Sequence, residues 1–158
     1  MKHHFRNLLY LVIFIGFSGV KAGSYEDFFI AINRDDDRGV TRLLERGFDP
    51  NSRDPKGQTG LILALRDDSS RVAEALWKSQ ALDVNAQNAS GESALMMAAL
   101  RGHMAWMQRL VDRGAQVHKE GWSPIHYAAT GPEVKAVALL LERGAPVEAS
   151  SPDKDTPL

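Results

Sequence analysis

Catalysis needs acids, bases, nucleophiles or metal ligands that converge, so histidines and carboxylates are weighed first. Five histidines occur, His3, His4, His103, His118 and His126. The first two lie in an apolar leader, and the other three are spread along a repetitive stretch in which nothing brings them together. Asp35-Asp36-Asp37 is the one acidic run near a turn. It reads as a solvated turn rather than a cation site, which needs several oxygens at set spacing. Cysteine is absent, which excludes disulfides, thiolate zinc sites and thiol nucleophiles. The chain has no phosphate-cradling G-x-x-x-x-G-K-S/T string, no G-x-G-x-x-G after a strand, no H-E-x-x-H and no G-x-S-x-G. The inventory points away from an enzyme and away from any cofactor or metal.

The elements that position these residues begin after an address. In residues 1–22, Lys2 and Arg6 precede the apolar run Leu8 to Phe17, and Val20-Lys21-Ala22 has the small-x-small form that a signal peptidase cuts. The reading is a signal peptide cut after Ala22, with delivery to a periplasm or the exterior. The run is shorter than the roughly 20 residues a helix needs to cross a bilayer. A retained anchor is the alternative, and only then would a membrane be a partner. The whole chain of 158 residues carries a formal charge of −1. Taking Lys2, Arg6 and Lys21 from its 19 basic residues leaves 16 against 20 acidic ones, −4 for the remainder. That sign offers no footprint for nucleic acid. With 44% hydrophobic and 25% charged residues, the rest has the balance of a folded soluble domain.

The remainder repeats itself. Gly57-Gln58-Thr59-Gly60-Leu61, Gly91-Glu92-Ser93-Ala94-Leu95, Gly121-Trp122-Ser123-Pro124-Ile125 and Lys154-Asp155-Thr156-Pro157-Leu158 recur at intervals of 34, 30 and 33 residues. A second marker recurs between them: Leu43-Leu44-Glu45-Arg46-Gly47, Leu110-Val111-Asp112-Arg113-Gly114 and Leu140-Leu141-Glu142-Arg143-Gly144, with Leu76-Trp77-Lys78-Ser79 in the second unit. Thr59, Ser93, Ser123 and Thr156 stand where hydroxyls cap helices. Pro124 and Pro157 suit a first helical turn. Gly47, Gly114 and Gly144 suit a left-handed helix end.

A period near 33 with these markers resembles the ankyrin-repeat family. Ser123-Pro124-Ile125-His126-Tyr127-Ala128-Ala129 is similar to its T-P-L-H-x-A-A string. The resemblance implies an all-α repeat solenoid of helix-turn-helix units joined by β-fingers, over residues 23–158. The expected units are 24–56, 57–90, 91–120 and 121–153, with a fifth only begun at 154–158. A chain that stops there would leave a stacking face uncovered, so a longer natural product is expected. The first unit lacks the T-P-L-H string and reads as a polar cap. By the resemblance, His126 ties one repeat to the next, and His103 does similar local work.

The family's contact positions, carried over one by one, are Lys56, Gln58 and Arg66, then Ser90, Glu92 and Arg101, then Lys119, Glu120 and Trp122. Trp122 stands between an exposed anchor and packing against a neighbouring finger. Trp77 and Trp106 are expected in the core, as are Met96, Met97, Met104 and Met107. The function implied is a non-catalytic, monomeric scaffold or adaptor binding an unidentified protein, with neither nucleic acid nor a small-molecule substrate. With the leader included, the chain resembles exported, periplasmic bacterial ankyrin-repeat proteins. The alternative is a membrane-tethered accessory or assembly factor for another protein, such as a periplasmic stress-defence enzyme.

Overall fold

The computed structural model describes residues 23–151. The leader, its cleavage site and the start of a fifth unit lie outside the described residues. Eight helices follow one another among those described: α1 (residues 23–33), α2 (Asp37–Glu45), α3 (Gly60–Arg66), α4 (Ser70–Trp77), α5 (Ala94–Arg101), α6 (Met104–Asp112), α7 (Pro124–Thr130) and α8 (Val134–Glu142). They pair α1–α2, α3–α4, α5–α6 and α7–α8, and the pairs stack in two layers. First helices meet first helices, α3 on α5 on α7, while second helices meet second helices, α2 on α4 and α6 on α8. Each pair is linked to the next by an extended finger. The first two fingers close with isolated antiparallel bridges, Arg53 with Thr59 and Gln87 with Ser93.

Side-chain size explains the stacking. Ala98 and Ala99 of α5 are wholly buried, because a methyl lets the flanking first helices come close. Leu61, Ile62, Leu65, Leu95, Met96, Met107, Leu110, Ile125 and Leu140 fill the seams between pairs. Each fully buried side chain of this size contributes about 1.5–3 kcal/mol relative to exposure. The cap at α1 is apolar inside: Phe28 is wholly buried, with Phe48 4.6 Å and Phe29 5.3 Å from its ring centre.

The helix starts differ from one another. Ser93 caps α5, accepting from the Met96 N–H at 3.4 Å. Thr59 makes no such bond to α3. Ser123 turns its hydroxyl to the His126 ring, 2.9 Å from Nδ1. A hydroxyl before a helix was expected to cap in each case; Thr59 does not, and the Ser123 hydroxyl is engaged by the His126 ring, whose Nδ1 also accepts from Ser123 N–H.

Two expectations about charged and aromatic residues change. The acidic triplet is not simply solvated. Asp36 caps α2, accepting from Gly39 N–H at 3.0 Å, and Asp35 reaches the next pair, accepting from Val72 N–H at 2.9 Å and Arg71 at 3.1 Å. Trp77, Trp106 and Met104 are half-buried rather than enclosed. The two indoles meet edge to face at 5.4 Å, and the Arg109 guanidinium lies 4.0 Å from the Trp106 ring centre and 4.9 Å from that of Trp77. Large rings at the rim of the second-helix layer leave one face open, and a flat cation covers it. The helix ends there are not merely solvated either. Arg113 donates to the carbonyls of Trp77 and Ser79 at 2.8 and 2.7 Å, and Arg143 pairs with Asp112 at 3.0 Å.

Candidate partner-binding face

Fingers and first helices form the side on which all nine candidate contact residues fall. At the first finger tip Lys56 is exposed and Gln58 half-buried. Their backbone N–H groups both donate to Asp54 Oδ1 at 2.8 Å. Ser90 and Glu92 repeat this at the second tip, donating to Asn88 Oδ1 at 3.0 and 2.9 Å. A short side-chain oxygen beside two free amides makes each tip self-sufficient. Gly57 and Gly91 sit at the turns with φ of +75°, a conformation that carries little steric cost without a Cβ. At Gly91 a Cβ would also fall 2.8 Å from Lys119 Nζ.

A polar chain runs along the face. Asn88 Nδ2 donates to Gln58 Oε1 at 3.2 Å and to Glu92 Oε2 at 2.6 Å, and Tyr127 donates to Glu92 Oε1 at 2.7 Å. Two fingers and α7 are thereby held in register. Burial first, then the bond to Glu92 and its charge, push the Tyr127 phenol well above its ordinary value.

Arg66 and Arg101 end the first helices α3 and α5, and neither is free. Arg66 pairs in two-pronged fashion with Asp67, both bonds 2.8 Å. Arg101 pairs with Asp68, which also stands 2.7 Å from His103 Nε2. These bonds hold the carboxyls of Asp67 and Asp68 below their ordinary value, in each case chiefly through the arginine hydrogen bond. His103 thus works locally, as the sequence suggested. His126 does too: its Nε2 lies 3.1 Å from Ala149 O in the following finger, and its Nδ1 accepts from Ser123 N–H at 3.2 Å. An N–H can only donate, so Nδ1 is bare and Nε2 carries the hydrogen.

The third finger gathers the remaining candidates. Lys119 donates to Gly91 O at 2.8 Å, Glu120 is exposed, and Trp122 keeps 41% of its surface in water. Trp122 meets the His126 ring edge to face at 5.4 Å. The indole thus packs on the helix of its own unit rather than on a neighbouring finger, and the rest of it faces out. With Leu100, His126, Tyr127 and Thr130 it lines a slot of about 180 Å³. The structure therefore joins Glu92, Lys119 and Trp122 into one neighbourhood, and Arg66 at the end of α3 feels the Glu92 charge.

Tyr127 and Asn88 were missed in the sequence. Tyr127 occupies the free position of its T-P-L-H-x-A-A string, and Asn88 stands three residues before Gly91 as Asp54 stands before Gly57. Both signals were present as register. Among the described residues, no group of three or more His, Asp or Glu is placed to hold a metal ion, and no helix is long and apolar enough to cross a membrane.

Comparison with known proteins agrees with this architecture. Residues 80–151 match the family model of ankyrin repeats in three copies. Over 120 residues the chain is 32% identical to neurogenic locus notch homolog protein 1 of Cricetulus griseus and of Homo sapiens, and 31% identical to that of Danio rerio. The alignment covers 74% of this chain but spans only 5% of those relatives.

Proposed function

Because the chain carries ankyrin repeats, we propose that it is a non-catalytic scaffold or adaptor that binds a partner protein through its concave finger and first-helix face. Repeats of this kind commit their chemistry to stacking, and what remains for function is the surface they present. The observation that carries the reading is the Trp122 slot, an apolar recess whose neighbouring Lys119, Tyr127 and His126 side chains are each hydrogen-bonded within the chain. Lys56, Gln58, Arg66, Ser90, Glu92, Arg101, Lys119 and Glu120 make up the wider contact set along the fingers and first helices. A pre-organised aromatic edge with fixed polar neighbours loses little freedom on binding. Affinity capture with the full chain, run beside Trp122→Ala, tests this. Loss of a specific captured protein in the variant is the expected result; an unchanged set counts against the face.

The proposal extends to location. The leader supports export of a bacterial protein to the periplasm or beyond, as a released monomer cut after Ala22. N-terminal sequencing from the native host reads this directly. Gly23 at the start supports release, whereas Met1 supports the tethered accessory or assembly factor instead.

A further inference from the structure

The third finger is built unlike its siblings. Gly47 and Gly57 bound the first finger ten residues apart, whereas Gly114 and Gly121 bound the third only seven apart. His118 stands three residues before Gly121, the position that Asp54 and Asn88 hold before Gly57 and Gly91. In the siblings the backbone closes the tip as well: Asp54 N–H to Gln58 O at 2.9 Å and Gly57 N–H to Asp54 O at 2.8 Å, then Asn88 N–H to Glu92 O at 2.9 Å and Gly91 N–H to Asn88 O at 3.0 Å. Among the described residues none of these bonds has a counterpart in the third finger. The N–H groups of Glu120 and Trp122, equivalent to those that Asp54 Oδ1 and Asn88 Oδ1 accept, meet no acceptor among the described residues.

One of these amides belongs to Trp122, whose indole walls the recess, and the other stands two residues before it in the chain. About 180 Å³ is below the roughly 300 Å³ at which small-molecule sites begin, and suits one side chain of a larger partner. Lys119, next to Glu120 in the chain, carries an ammonium anchored at Gly91 O, while the Glu92 carboxylate is occupied by Tyr127 and Asn88. Glu120 is the acidic side chain of the tip and is exposed, where water and salt screen it.

We infer that the third finger and the slot together take a partner segment presenting an aspartate or glutamate carboxylate beside an apolar side chain. The carboxylate oxygen accepts from the Glu120 and Trp122 amides, filling the place that Asp54 and Asn88 fill from within in the other fingers. A carboxylate is favoured over a neutral acceptor because hydrogen bonds to an ionised acceptor are roughly twice as strong. The apolar side chain enters the slot against Trp122, Leu100 and Tyr127. This rests on the partner-binding reading above and gives that partner its chemistry.

The test uses the full chain, isotopically labelled for amide NMR, titrated with two blocked peptides, acetyl-Gly-Leu-Asp-Gly-amide and acetyl-Gly-Leu-Lys-Gly-amide. The expected result is a saturable downfield shift of the Glu120 and Trp122 amides with the aspartate peptide, about tenfold weaker with the lysine peptide. His118→Asp supplies the carboxylate from within and is expected to weaken the aspartate peptide by about the same factor, with the remaining resonances in place. Equal response to both peptides, no response to either, or unchanged binding by His118→Asp overturns the inference. The Trp122→Ala capture described above is read separately. If that variant loses its partner while the peptides fail to discriminate, the binding face stands and the carboxylate seat falls.

Discussion

Tyr127 of α7 donates its hydroxyl to Glu92 of the second finger at 2.7 Å, so a helix of the fourth pair is fastened to the finger that enters the third. The bond reaches across 35 residues and joins the polar chain that begins at Gln58. Its consequence for titration is direct. A folded-state pKa above the unfolded value of 10.0 means that the folded chain holds the phenolic proton longer. The stabilisation is present below pH 10 and is lost as pH rises beyond it. Ultraviolet titration is expected to show one phenol ionising late. Glu92→Gln brings it part of the way down, not the whole way, because burial is the larger cause.

Acid acts on the opposite sign. Glu74, Asp67, Asp68 and Asp112 are all held below their ordinary values, first by hydrogen bonds to Arg109, Arg66, Arg101 and Gln108 respectively. For each, the unfolded chain binds the proton more readily, so the contribution is present above the ordinary values of 4.5 for Glu and 3.8 for Asp. It is lost as pH falls through the lower folded values. Exposed pairs contribute little each, and the expected signature is a shallow loss of stability below about pH 5 in urea melts. Glu74→Gln flattens that slope; an unchanged slope contradicts the assignment.

Asp35 adopts φ +49°, unusual for a residue with a side chain, while its carboxylate accepts from Val72 N–H of the next pair. Backbone strain and an inter-repeat bond therefore sit on one residue. Asp35→Gly loses the bond but relieves the backbone, whereas Asp35→Ala loses the bond and keeps the strain. The alanine variant is expected to be less stable by about 1 kcal/mol, measured as the difference between the two denaturation midpoints.

Gly131 has an ordinary φ of −77°, so only space constrains it. A Cβ there would stand 2.6 Å from Ala99 O and 3.0 Å from Leu100 O, both backbone atoms that cannot swing aside. Gly131→Ala is expected to cost about 1–3 kcal/mol through overpacking of α7 against α5. A variant as stable as the parent by thermal melt would disprove the close approach.

The stacked units were legible because their markers are local: a hydroxyl, a proline or an alanine pair at fixed steps within some seven residues. His126 was legible for the same reason, its role following from the string that contains it. What escaped were contacts set by the stacking register. Arg113 reaching the Trp77 carbonyl, Asp35 reaching Val72 and Tyr127 reaching Glu92 join residues 35 to 37 positions apart. No local spacing marks such pairs. Trp77 and Trp106 were misjudged as core because size and hydrophobicity do not reveal that a guanidinium finishes their cover. The interval of 30 residues was readable, but the unpaired amides it leaves at the third tip appear only in three dimensions.

Among the described residues the longest reach of any side-chain hydrogen bond is 37 positions, from Val72 to Asp35. Every such tie therefore stops at the adjoining unit. A molecule coupled only to nearest neighbours behaves as a one-dimensional array, in which contacts stay short in sequence and ordering can spread stepwise from any seed. Its melting is expected to begin by fraying at the terminal units, and a lesion at one end to be felt most by the unit beside it.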